Sequence, residues 1–467
     1  MKKNEGTFDS ARSKDATLDQ IISIFRCLGA TNLYVKSLAP NDNSKNQLYF
    51  GSHLTDLPFI PTSDLIPSAS KSNKGVDPKR KIKYQTAVNL FWVDVKGETY
   101  KAPNAKLIYY PQYPEVRFSG FLQGSEVNVS GWMDRYKQGT TMGRWLILGV
   151  TQNKEVYSYL VTPECALSKE LEVTDLIEIS SVFRQIDIEH TGITDTRAAL
   201  LEKLLEIHEM GWVAGQRLQS DKTIIPYNAL NGGGYTLESL LGIPPNSDAE
   251  PDYLGWEVKQ FGVSKFPRTR ARPTTLMTPE PNGGFYKLHG VPDFVRSFGY
   301  PDMNGVPDRL NFGGVHRAGQ LCKKTSLTMY INGFDAEESK ITDAEGVITL
   351  TDNKGTVAAS WSFAKVMDHW KRKHSQAVYV PCIMRPIPGG GRSYHYGTNV
   401  ELGKGTDFEM FLSAMFKGMV YYDPGIKLEN ASSEKAKLKT RNQFRVNHRN
   451  IGSLYRNLDF VDIASTK

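Results

Sequence analysis

Hydrophobic positions change their spacing along the chain, and this change separates two regions. The segment TLDQIISIFRC, residues 17–27, places apolar side chains at helical spacing behind a threonine and predicts a capped helix. Between residues 32 and 163, short β-rich runs alternate with clusters of turn residues, which is typical of a small barrel or sandwich. Within this region DVKGE, residues 94–98, predicts a hairpin turn.

A helical pattern opens the second region. The segment DTRAALLEKLLEIHEM begins at residue 195 and places on one side of a helix Leu200, Leu201, Leu204, Leu205 and His208. Beyond it, strand-like runs such as AVYVPCIM alternate with helix-like runs such as DFEMFLSAMFKGM, and no repeat of fixed period occurs. We therefore predict an all-β domain over 1–165, a linker over 166–194 and an α/β domain over 195–467.

Composition narrows the class of protein. A length of 467 residues suits two domains, and a hydrophobic content of 40% suits packed cores. No stretch approaches the roughly 18 apolar residues of a membrane-spanning helix, and residues 1–17 lack the apolar core of a signal peptide. No CxxC pair occurs, which indicates reduced thiols rather than a zinc site, among Cys27, Cys165, Cys322 and Cys382. We expect a soluble, cytoplasmic protein without a membrane partner.

Positive charge favours a polyanionic partner. The formal net charge of +7 is a mild excess that many proteins share. Its distribution is more informative, because residues 433–456 carry seven Lys and Arg side chains against the single acid Glu434. This basic tail is either a solvated face or a surface for phosphates, and its one-signed character favours phosphates.

Three charged residues carry the clearest chemistry. Asp252 precedes a short apolar strand on which Glu257 and Lys259 stand two positions apart. Strand side chains alternate, so Glu257 and Lys259 point to one side, and Gly255 permits a bend that brings Asp252 beside Glu257. Two carboxylates and an amine suit Mg²⁺, which binds one or two carboxylates together with water and phosphate oxygens. The metal would polarise a phosphodiester and lower the pKa of a bound water.

This spacing also occurs by chance, and the alternative is an ordinary strand with a surface ion pair. Glu238 adds weight to the catalytic interpretation, because it lies on the predicted helix YTLESLL, 14 residues before Asp252. The glycine run at 232–234 could instead cradle a phosphate. It lacks the Gly-Lys-Ser/Thr ending of a nucleotide-binding loop, so we interpret it as a tight loop that sets the helix.

The segment GGGYTLESLLGIPPNSDAEPDYLGWEVKQ resembles the active-site region of the MvaI/BcnI restriction endonucleases, relatives of the mismatch-repair nickase MutH. The similarity continues through GYPDMNGVPDRLNFGGVH and KTRNQFRVNH. It implies a PD-(D/E)XK nuclease fold, an α/β fold with a mixed sheet flanked by helices. It also implies that Asp252 and Glu257 hold Mg²⁺, that Lys259 serves the attacking water, and that Glu238 is the helix carboxylate of the MutH relatives. The motif reads EPD rather than a strict PD, but Pro251 still precedes Asp252.

The first region resembles the effector DNA-binding domain of EcoRII-type enzymes, through YVKSLAPNDNSKNQLYFG and YYPQYPEVRFSGFL. That domain is an all-β pseudobarrel whose two arms grip the major groove. The resemblance implies DNA contacts from Lys36, Asn41, Asp42, Lys45, Asn46, Gln47, Arg80, Glu115 and Arg117. Arg, Asn, Gln and Glu all read base edges. Without the resemblance, NDNSKNQ is read as a plain polar loop.

In the second region we select candidates for base or groove contact in the two similar segments, namely Arg309, His316, Arg441, Arg445 and His448. His316 is equally well read as a structural histidine.

The combined resemblance implies a type II restriction endonuclease of type IIE. It would act as a monomer on double-stranded DNA at a CCNGG-type site, with CC(A/T)GG as the leading candidate. A second copy of the site would bind the first domain as an effector, and a companion DNA methyltransferase is expected. Two alternatives stay open: a strand-nicking repair endonuclease like MutH, and a non-catalytic DNA-binding regulator with a vestigial nuclease domain.

Overall fold

The computed structural model describes residues 15–39, 47–68, 82–133, 142–163, 165–188, 195–243, 252–267 and 271–465. The chain divides into two compact units, Met1–Thr196 and Arg197–Lys467. Among the residues described, no helix combines the length and the apolar character needed to cross a membrane.

Short helices and two sheets build the described part of the first unit. The helices are α1 (Leu18–Cys27), α2 (Ser130–Met133) and α3 (Ala166–Val173), with a 3-10 turn at Leu54–Asp56. The strands are β1 (Ala30–Ser37), β2 (Gln47–Gly51), β3 (Ile66–Pro67), β4 (Tyr84–Ala87), β5 (Leu90–Val93), β6 (Thr99–Ala102), β7 (Lys106–Tyr110), β8 (Glu115–Ser119), β9 (Trp145–Thr151), β10 (Val156–Val161), β11 (Ile177–Glu178) and β12 (Arg184–Ile186).

The first predicted helix is confirmed as α1. Thr17 caps it, since its hydroxyl accepts a hydrogen bond from a backbone N–H in the first turn at 3.3 Å. The helical spacing buries Ile21, Ile22 and Phe25. Phe25 lies against Gly149 of β9, where an added Cβ would stand 2.1 Å from the ring. The missing side chain at this position therefore lets the helix pack closely on the sheet.

Two sheets form the body of this unit. One has seven strands in the order β11-β12-β1-β9-β10-β5-β6, and the other has five in the order β2-β8-β7-β4-β3. The predicted hairpin is confirmed, because β5 and β6 pair antiparallel across the turn that begins at Asp94. Gly97 closes that turn with a φ of 82°, a conformation that glycine adopts without steric cost.

The segment predicted as a linker, 166–194, differs from that prediction over its described residues. It contains α3, whose Leu167 and Leu171 are buried, and the strands β11 and β12. Ile186 of β12 pairs with Leu33 of β1, so this segment completes the seven-stranded sheet. Strands of two or three residues are too short to show an alternating pattern in the sequence. They are recognised only in the structure, where β12 pairs with the edge of β1 and β11 pairs with β12.

The second unit contains six helices in its described part: α4 (Thr196–Glu209), α5 (Gly232–Leu240), α6 (Gly284–His289), α7 (Val291–Phe298), α8 (Phe363–His374) and α9 (Phe408–Phe416). A 3-10 helix covers His448–Leu454. The strands are β13 (Val213–Ala214), β14 (Gln216–Leu218), β15 (Ile224–Pro226), β16 (Glu257–Gly262), β17 (Thr274–Met277), β18 (Tyr300–Pro301), β19 (Arg309–Gly313), β20 (Leu321–Cys322), β21 (Leu327–Asn332), β22 (Phe334–Asp335), β23 (Lys340–Ile341), β24 (Val347–Thr351), β25 (Val357–Ser362), β26 (Gln376–Pro386), β27 (Arg392–Tyr396), β28 (Asn399–Lys404), β29 (Val420–Tyr422), β30 (Gly425–Glu429), β31 (Lys437–Lys439), β32 (Phe444–Val446) and β33 (Asn457–Asp462).

A six-stranded mixed sheet organises the second unit, as predicted. Five strands follow the order β13-β27-β26-β28-β33, and β16 pairs with β26. The β16–β26 pair is parallel, whereas β26 pairs antiparallel with β27 and β28. Tyr379 of β26 has Lys259 as its partner on one side and Glu401 on the other. Among the described strands, β16 pairs with β26 alone, which places it at an edge of the sheet.

One face of this sheet packs against α4 and α5. The buried cluster there includes Trp256, which directly precedes β16, together with Val258 of β16, Val378 of β26 and Leu204 of α4. Alternation along β16 therefore turns Glu257 toward the opposite face, as the strand pattern predicts. The apolar core thus fixes which way the charged residues of the strand point.

Candidate active site

A two-residue turn brings Asp252 to the edge strand. Tyr253 and Trp256 pair across it, with Tyr253 N–H donating to the Trp256 carbonyl at 3.0 Å. Leu254 and Gly255 at its centre have φ values of 47° and 83°, the left-handed pair of a type I′ turn. The carboxylate of Asp252 then accepts a hydrogen bond through Oδ2 from the N–H of Val258 at 2.9 Å. The predicted bend at Gly255 is confirmed.

Glu257 is the most buried member of the cluster. Its side chain is 2% exposed, and its Oε1 accepts a hydrogen bond from the Lys259 ammonium group. Among the described residues, its Oε2 has no hydrogen-bond donor. Burial raises the pKa of Glu257 to about 7, although the neighbouring charge of Lys259 opposes the rise. Burial alone would lower the pKa of Lys259, but the carboxylates of Glu257 and Asp252 outweigh it and raise the pKa.

A second lysine, Lys373, enters the cluster from the last turn of α8. Its Nζ lies 3.4 Å from Glu257 Oε2 and 3.8 Å from Asp252 Oδ1. The spacing of charged residues around Lys259 does not indicate Lys373, because Lys373 lies more than a hundred positions further along the chain. The signal in the sequence was the basic run KRKH, which is separated from the strand-like run AVYVPCIM only by Ser375 and Gln376. Helix α8 leads directly into β26, the parallel partner of β16, so its last turn lies near β16.

The two carboxylates fit a divalent cation. In each carboxylate one oxygen remains: Asp252 Oδ1 is not bound to β16, and Glu257 Oε2 is not bound to Lys259. Both of these oxygens face the ammonium group of Lys373. Oε2 is buried and lacks a hydrogen-bond donor in the described structure, so a metal would satisfy it. In the part of the chain that is described, no three His, Cys, Asp or Glu side chains group as a metal cage. Mg²⁺ needs only one or two carboxylates when waters and phosphate oxygens complete its shell.

The glycine run lies within the helix that carries Glu238, which corrects the prediction of a loop. Helix α5 begins at Gly232, so the glycines form its first turn. A Cβ at Gly232 would stand 2.6 Å from Tyr394 Oη, and one at Gly233 would stand 3.2 Å from the Gln260 side chain. The run therefore allows α5 to approach the sheet closely, which is a packing role rather than a phosphate cradle.

Glu238 is electrostatically linked to the cluster. It is half-buried on α5, and burial raises its pKa, with the negative charge of Asp252 adding to the rise. The positive charges of Lys259 and Lys373 act in the opposite direction. The helix thus brings Glu238 within electrostatic reach of Asp252, Lys259 and Lys373. Its catalytic role stays a prediction.

Several predicted DNA contacts of the first unit lie outside the described residues, namely Asn41, Asp42, Lys45, Asn46 and Arg80. Three others meet on adjacent strands. Arg117 of β8 donates to Gln47 Oε1 of β2 at 2.8 Å and forms an ion pair with Glu115 at 2.8 Å. Lys36 requires a correction, because its side chain is buried and donates to the carbonyl of Ser37 at 3.1 Å. A buried lysine does not meet a DNA backbone.

The predicted contacts in the second unit separate into exposed and buried groups. Arg441 is exposed, while Arg445 forms an ion pair with Asp423 at 2.6 Å. Arg309 is bound through its guanidinium group to Asp302 and is mostly buried. Hydrogen bonds from Asn311 and then from Arg309 hold the pKa of Asp302 well below its usual range.

Both histidines predicted to contact DNA are buried, which corrects those predictions. His316 is fully buried and its Nε2 lies 2.8 Å from the Thr325 hydroxyl. His448 is 2% exposed, with Nε2 at 3.1 Å from Glu401 and Nδ1 at 2.9 Å from the Thr274 hydroxyl. Both rings pack inside the unit, where no base edge can reach them.

Comparison with known proteins identifies the family of the chain. A model of the MvaI/BcnI restriction endonuclease family matches residues 201–455, more than half of the chain. The chain belongs to this family, and it is therefore a DNA-binding, site-specific endonuclease. No curated protein matches the chain.

Two solved structures of the MvaI enzyme resemble the chain. One, the complex of MvaI with a cognate DNA substrate, shares 16% identity at a TM-score of 0.42, covering 56% of this chain and 97% of that one. The other, MvaI in the absence of DNA, shares 15% identity at a TM-score of 0.31, covering 57% of this chain and 98% of that one.

The raised pKa of Glu257 predicts how pH changes the stability of the metal-free protein. The pKa of this carboxyl group is near 4.5 in the unfolded state and about 7 in the folded state. Between these two pH values the folded protein therefore binds a proton that the unfolded protein has released. The free energy of unfolding should therefore fall across this window as pH rises. Glu257→Gln should remove part of that fall, measured by urea unfolding in EDTA at pH 5 and pH 8. An identical pH dependence in the variant would contradict the burial argument.

Lys373 should stabilise the cluster when metal is absent. Lys373→Met leaves Asp252 and Glu257 with less compensating charge, so the melting temperature in EDTA should fall. The same variant should gain more than the wild type from added Mg²⁺, because the metal then supplies the missing positive charge. Lys365→Met, a change at a half-buried position of the same helix, is the matched control. An equal Mg²⁺-dependent gain in all three proteins would exclude this role.

Proposed function

We propose that the chain is a type II restriction endonuclease of type IIE, hydrolysing double-stranded DNA with Mg²⁺ at a CCNGG-type site. CC(A/T)GG is the first sequence to test. The supporting observation is that two carboxylate oxygens, Asp252 Oδ1 and Glu257 Oε2, both face the Lys373 ammonium group, with Lys259 bound to the second carboxylate. This arrangement occurs in a chain of a restriction endonuclease family. The enzyme would act as a monomer alongside a companion DNA methyltransferase.

Each residue of the cluster has a distinct part in this proposal. Asp252 and Glu257 would hold Mg²⁺, which supplies Lewis acidity toward the phosphodiester and a water of lowered pKa. Lys259 is held by Glu257 with its ammonium group at the same site, where it can orient a water and offset charge on the phosphate. Lys373 lies between the two carboxylates and would turn toward phosphate oxygens once a metal compensates them. Glu238, on α5, would be a further catalytic carboxylate at the same site.

The first unit would bind the second copy of the site in a pseudobarrel domain over 1–165. Gln47, Glu115 and Arg117 support this, because they join into one partly exposed cluster on two adjacent strands. Arginine pairs with guanine, glutamine with adenine, and glutamate accepts from cytosine. Tyr110 lies beneath the Arg117 guanidinium group, 5.7 Å from the ring centre. This contact keeps the guanidinium group oriented while it exchanges Gln47 for a base.

Cleavage of a sequenced supercoiled plasmid tests the catalytic part. The wild type should give discrete Mg²⁺-dependent fragments, and Asp252→Ala should give none while binding DNA as well or better, since it removes a negative charge that faces phosphate. Asp293→Ala, in an exposed surface ion pair, is the control. Nicked product that never becomes linear would instead identify a strand-nicking repair enzyme. Intact plasmid in every lane, with DNA still bound, would identify a non-catalytic regulator.

The effector role predicts faster cleavage of a plasmid with two sites than of a plasmid with one. Arg117→Ala should abolish that difference and weaken effector binding by about 1–3 kcal/mol, the discrimination that one bidentate base contact provides. Arg26→Ala, an exposed arginine on α1, should leave the difference intact. Equal rates on both plasmids for the wild type, unchanged by added cognate oligonucleotide, would rule out type IIE behaviour.

A further inference from the structure

A four-stranded antiparallel sheet in the second unit has one buried face and one polar face. Its strands follow the order β18-β19-β30-β31. Along β30, Ile426 and Leu428 are buried, whereas Lys427 between them is exposed. Helix α7 packs on the buried side, where the ring of Phe294 lies 4.6 Å from the ring of Phe312 on β19. Because strand side chains alternate, Lys427 stands on the outer face of the sheet.

The strand register gathers positive charge on this outer face. Lys427 is the register partner of Lys439 on β31, and Glu429 is the register partner of Lys437. Register partners and residues two positions apart on a strand share a face, so the three lysines lie together. All three are exposed. The Lys439 ammonium group lies 3.5 Å from Glu429, while among the described residues no acid forms an ion pair with Lys427 or Lys437.

A fourth cation lies against the same face. At Gly425, the first residue of β30, an added Cβ would stand 2.9 Å from Nη2 of Arg441 and 3.0 Å from its Nε. Gly425 is two positions before Lys427, so this space belongs to the outer face. The guanidinium group of Arg441 therefore lies on the sheet where glycine leaves room for it. Within the described part of the chain, this group has neither an acid nor a hydrogen-bond acceptor as a partner.

Protection of a sheet edge explains only part of this charge. Among the described strands β31 is the outermost, and lysines on an edge strand discourage pairing with other chains. Lys427 is on an inner strand, where that purpose does not apply. Like charges directly opposite each other on neighbouring strands destabilise a sheet, and Lys427 and Lys439 form such a pair. An anion bound on this face would remove the repulsion.

We propose that Lys427, Lys439 and Arg441 form a binding site for phosphates of the DNA backbone, separate from the catalytic cluster. The chain belongs to a DNA endonuclease family, so the polyanion it binds is DNA. A guanidinium group holds a phosphate through two N–H donors, and lysine ammonium groups add positive charge. Contacts of this kind position a duplex on a protein without reading its sequence. The inference deepens the proposed function, but it depends neither on the metal nor on the recognised sequence.

The salt dependence of DNA binding tests this site. The full chain in EDTA is titrated with a duplex that lacks any CCNGG sequence, and fluorescence anisotropy follows binding at several salt concentrations. Each lost phosphate contact reduces the steepness of log K against log salt by about 0.9. Lys427→Gln and Arg441→Gln should each show a reduction of that size. Lys354→Gln, at an exposed position in the turn between β24 and β25, is the matched control. Unchanged steepness in the first two variants would overturn the proposal.

Gly425→Ala tests the placement of Arg441 without changing any charge. The new methyl group takes the position of the guanidinium group, which can move because it ends a flexible side chain. The φ of Gly425 is not positive, so alanine adds no backbone strain. The steepness of the salt dependence should fall as in Arg441→Gln, and the double variant should show no further fall. Wild-type salt dependence in Gly425→Ala, or an additive fall in the double variant, would overturn the site.

The repulsion between the lysines is measurable without DNA. At low salt, Lys427→Gln should melt at a higher temperature than the wild type, because it removes one member of the like-charged pair. The difference should shrink at high salt, where ions screen the charges. Equal melting temperatures at low salt would contradict the like-charge argument and, with it, the need for an anion.

Cleavage assays separate failure of this site from failure of the proposed catalytic cluster. If Asp252→Ala still cleaves DNA while Lys427→Gln and Arg441→Gln reduce the salt dependence, the catalytic assignment is wrong and the phosphate site stands. If Asp252→Ala is inactive while both variants keep the salt dependence of the wild type, only the phosphate site is wrong.

Discussion

The burial of Glu257 in the face of a mixed sheet is the constraint on which the candidate site depends. An ionised carboxylate removed from water is costly unless charge and hydrogen bonds compensate it. Lys259 binds one oxygen, and Lys373 lies near the other, which has no hydrogen-bond donor in the described structure. Since the pKa of Glu257 is still raised to about 7, this compensation is incomplete. A site left short of positive charge in this way is prepared to accept a cation.

The sheet explains why the compensation takes this form. Trp256 and Val258 anchor β16 to the apolar core on one face, so Glu257 has no freedom to leave the other. Asp252 is held by the backbone of the same strand rather than by a side chain, which leaves its second oxygen available. Lys373 enters from α8, the helix that directly precedes the parallel partner strand β26. The turn at 253–256, strand β16 and helix α8 thus bring together Asp252, Glu257, Lys259 and Lys373.

The buried tyrosines and histidines on this face follow the same logic. They are polar groups in a dry layer, so each must find a partner and each choice limits the next. His448 is satisfied by Glu401 and Thr274, and His374 by Leu276 and Tyr455. A histidine that looks like a DNA contact in a basic sequence can therefore be a core residue, because hydrogen bonds to buried partners satisfy both nitrogens of its ring.

The sequence by itself determined the local features of this protein. Alternation along EVK places Glu257 and Lys259 on one face, Gly255 marks the turn, and TLDQ marks the cap of α1, because each depends on neighbours in the chain. Only the tertiary structure decided the rest. It brought Lys373 to the cluster from far along the chain, buried Lys36, His316 and His448, and recruited β11 and β12 into a sheet. Those outcomes depend on which distant surfaces meet, and no short-range pattern encodes the burial that results.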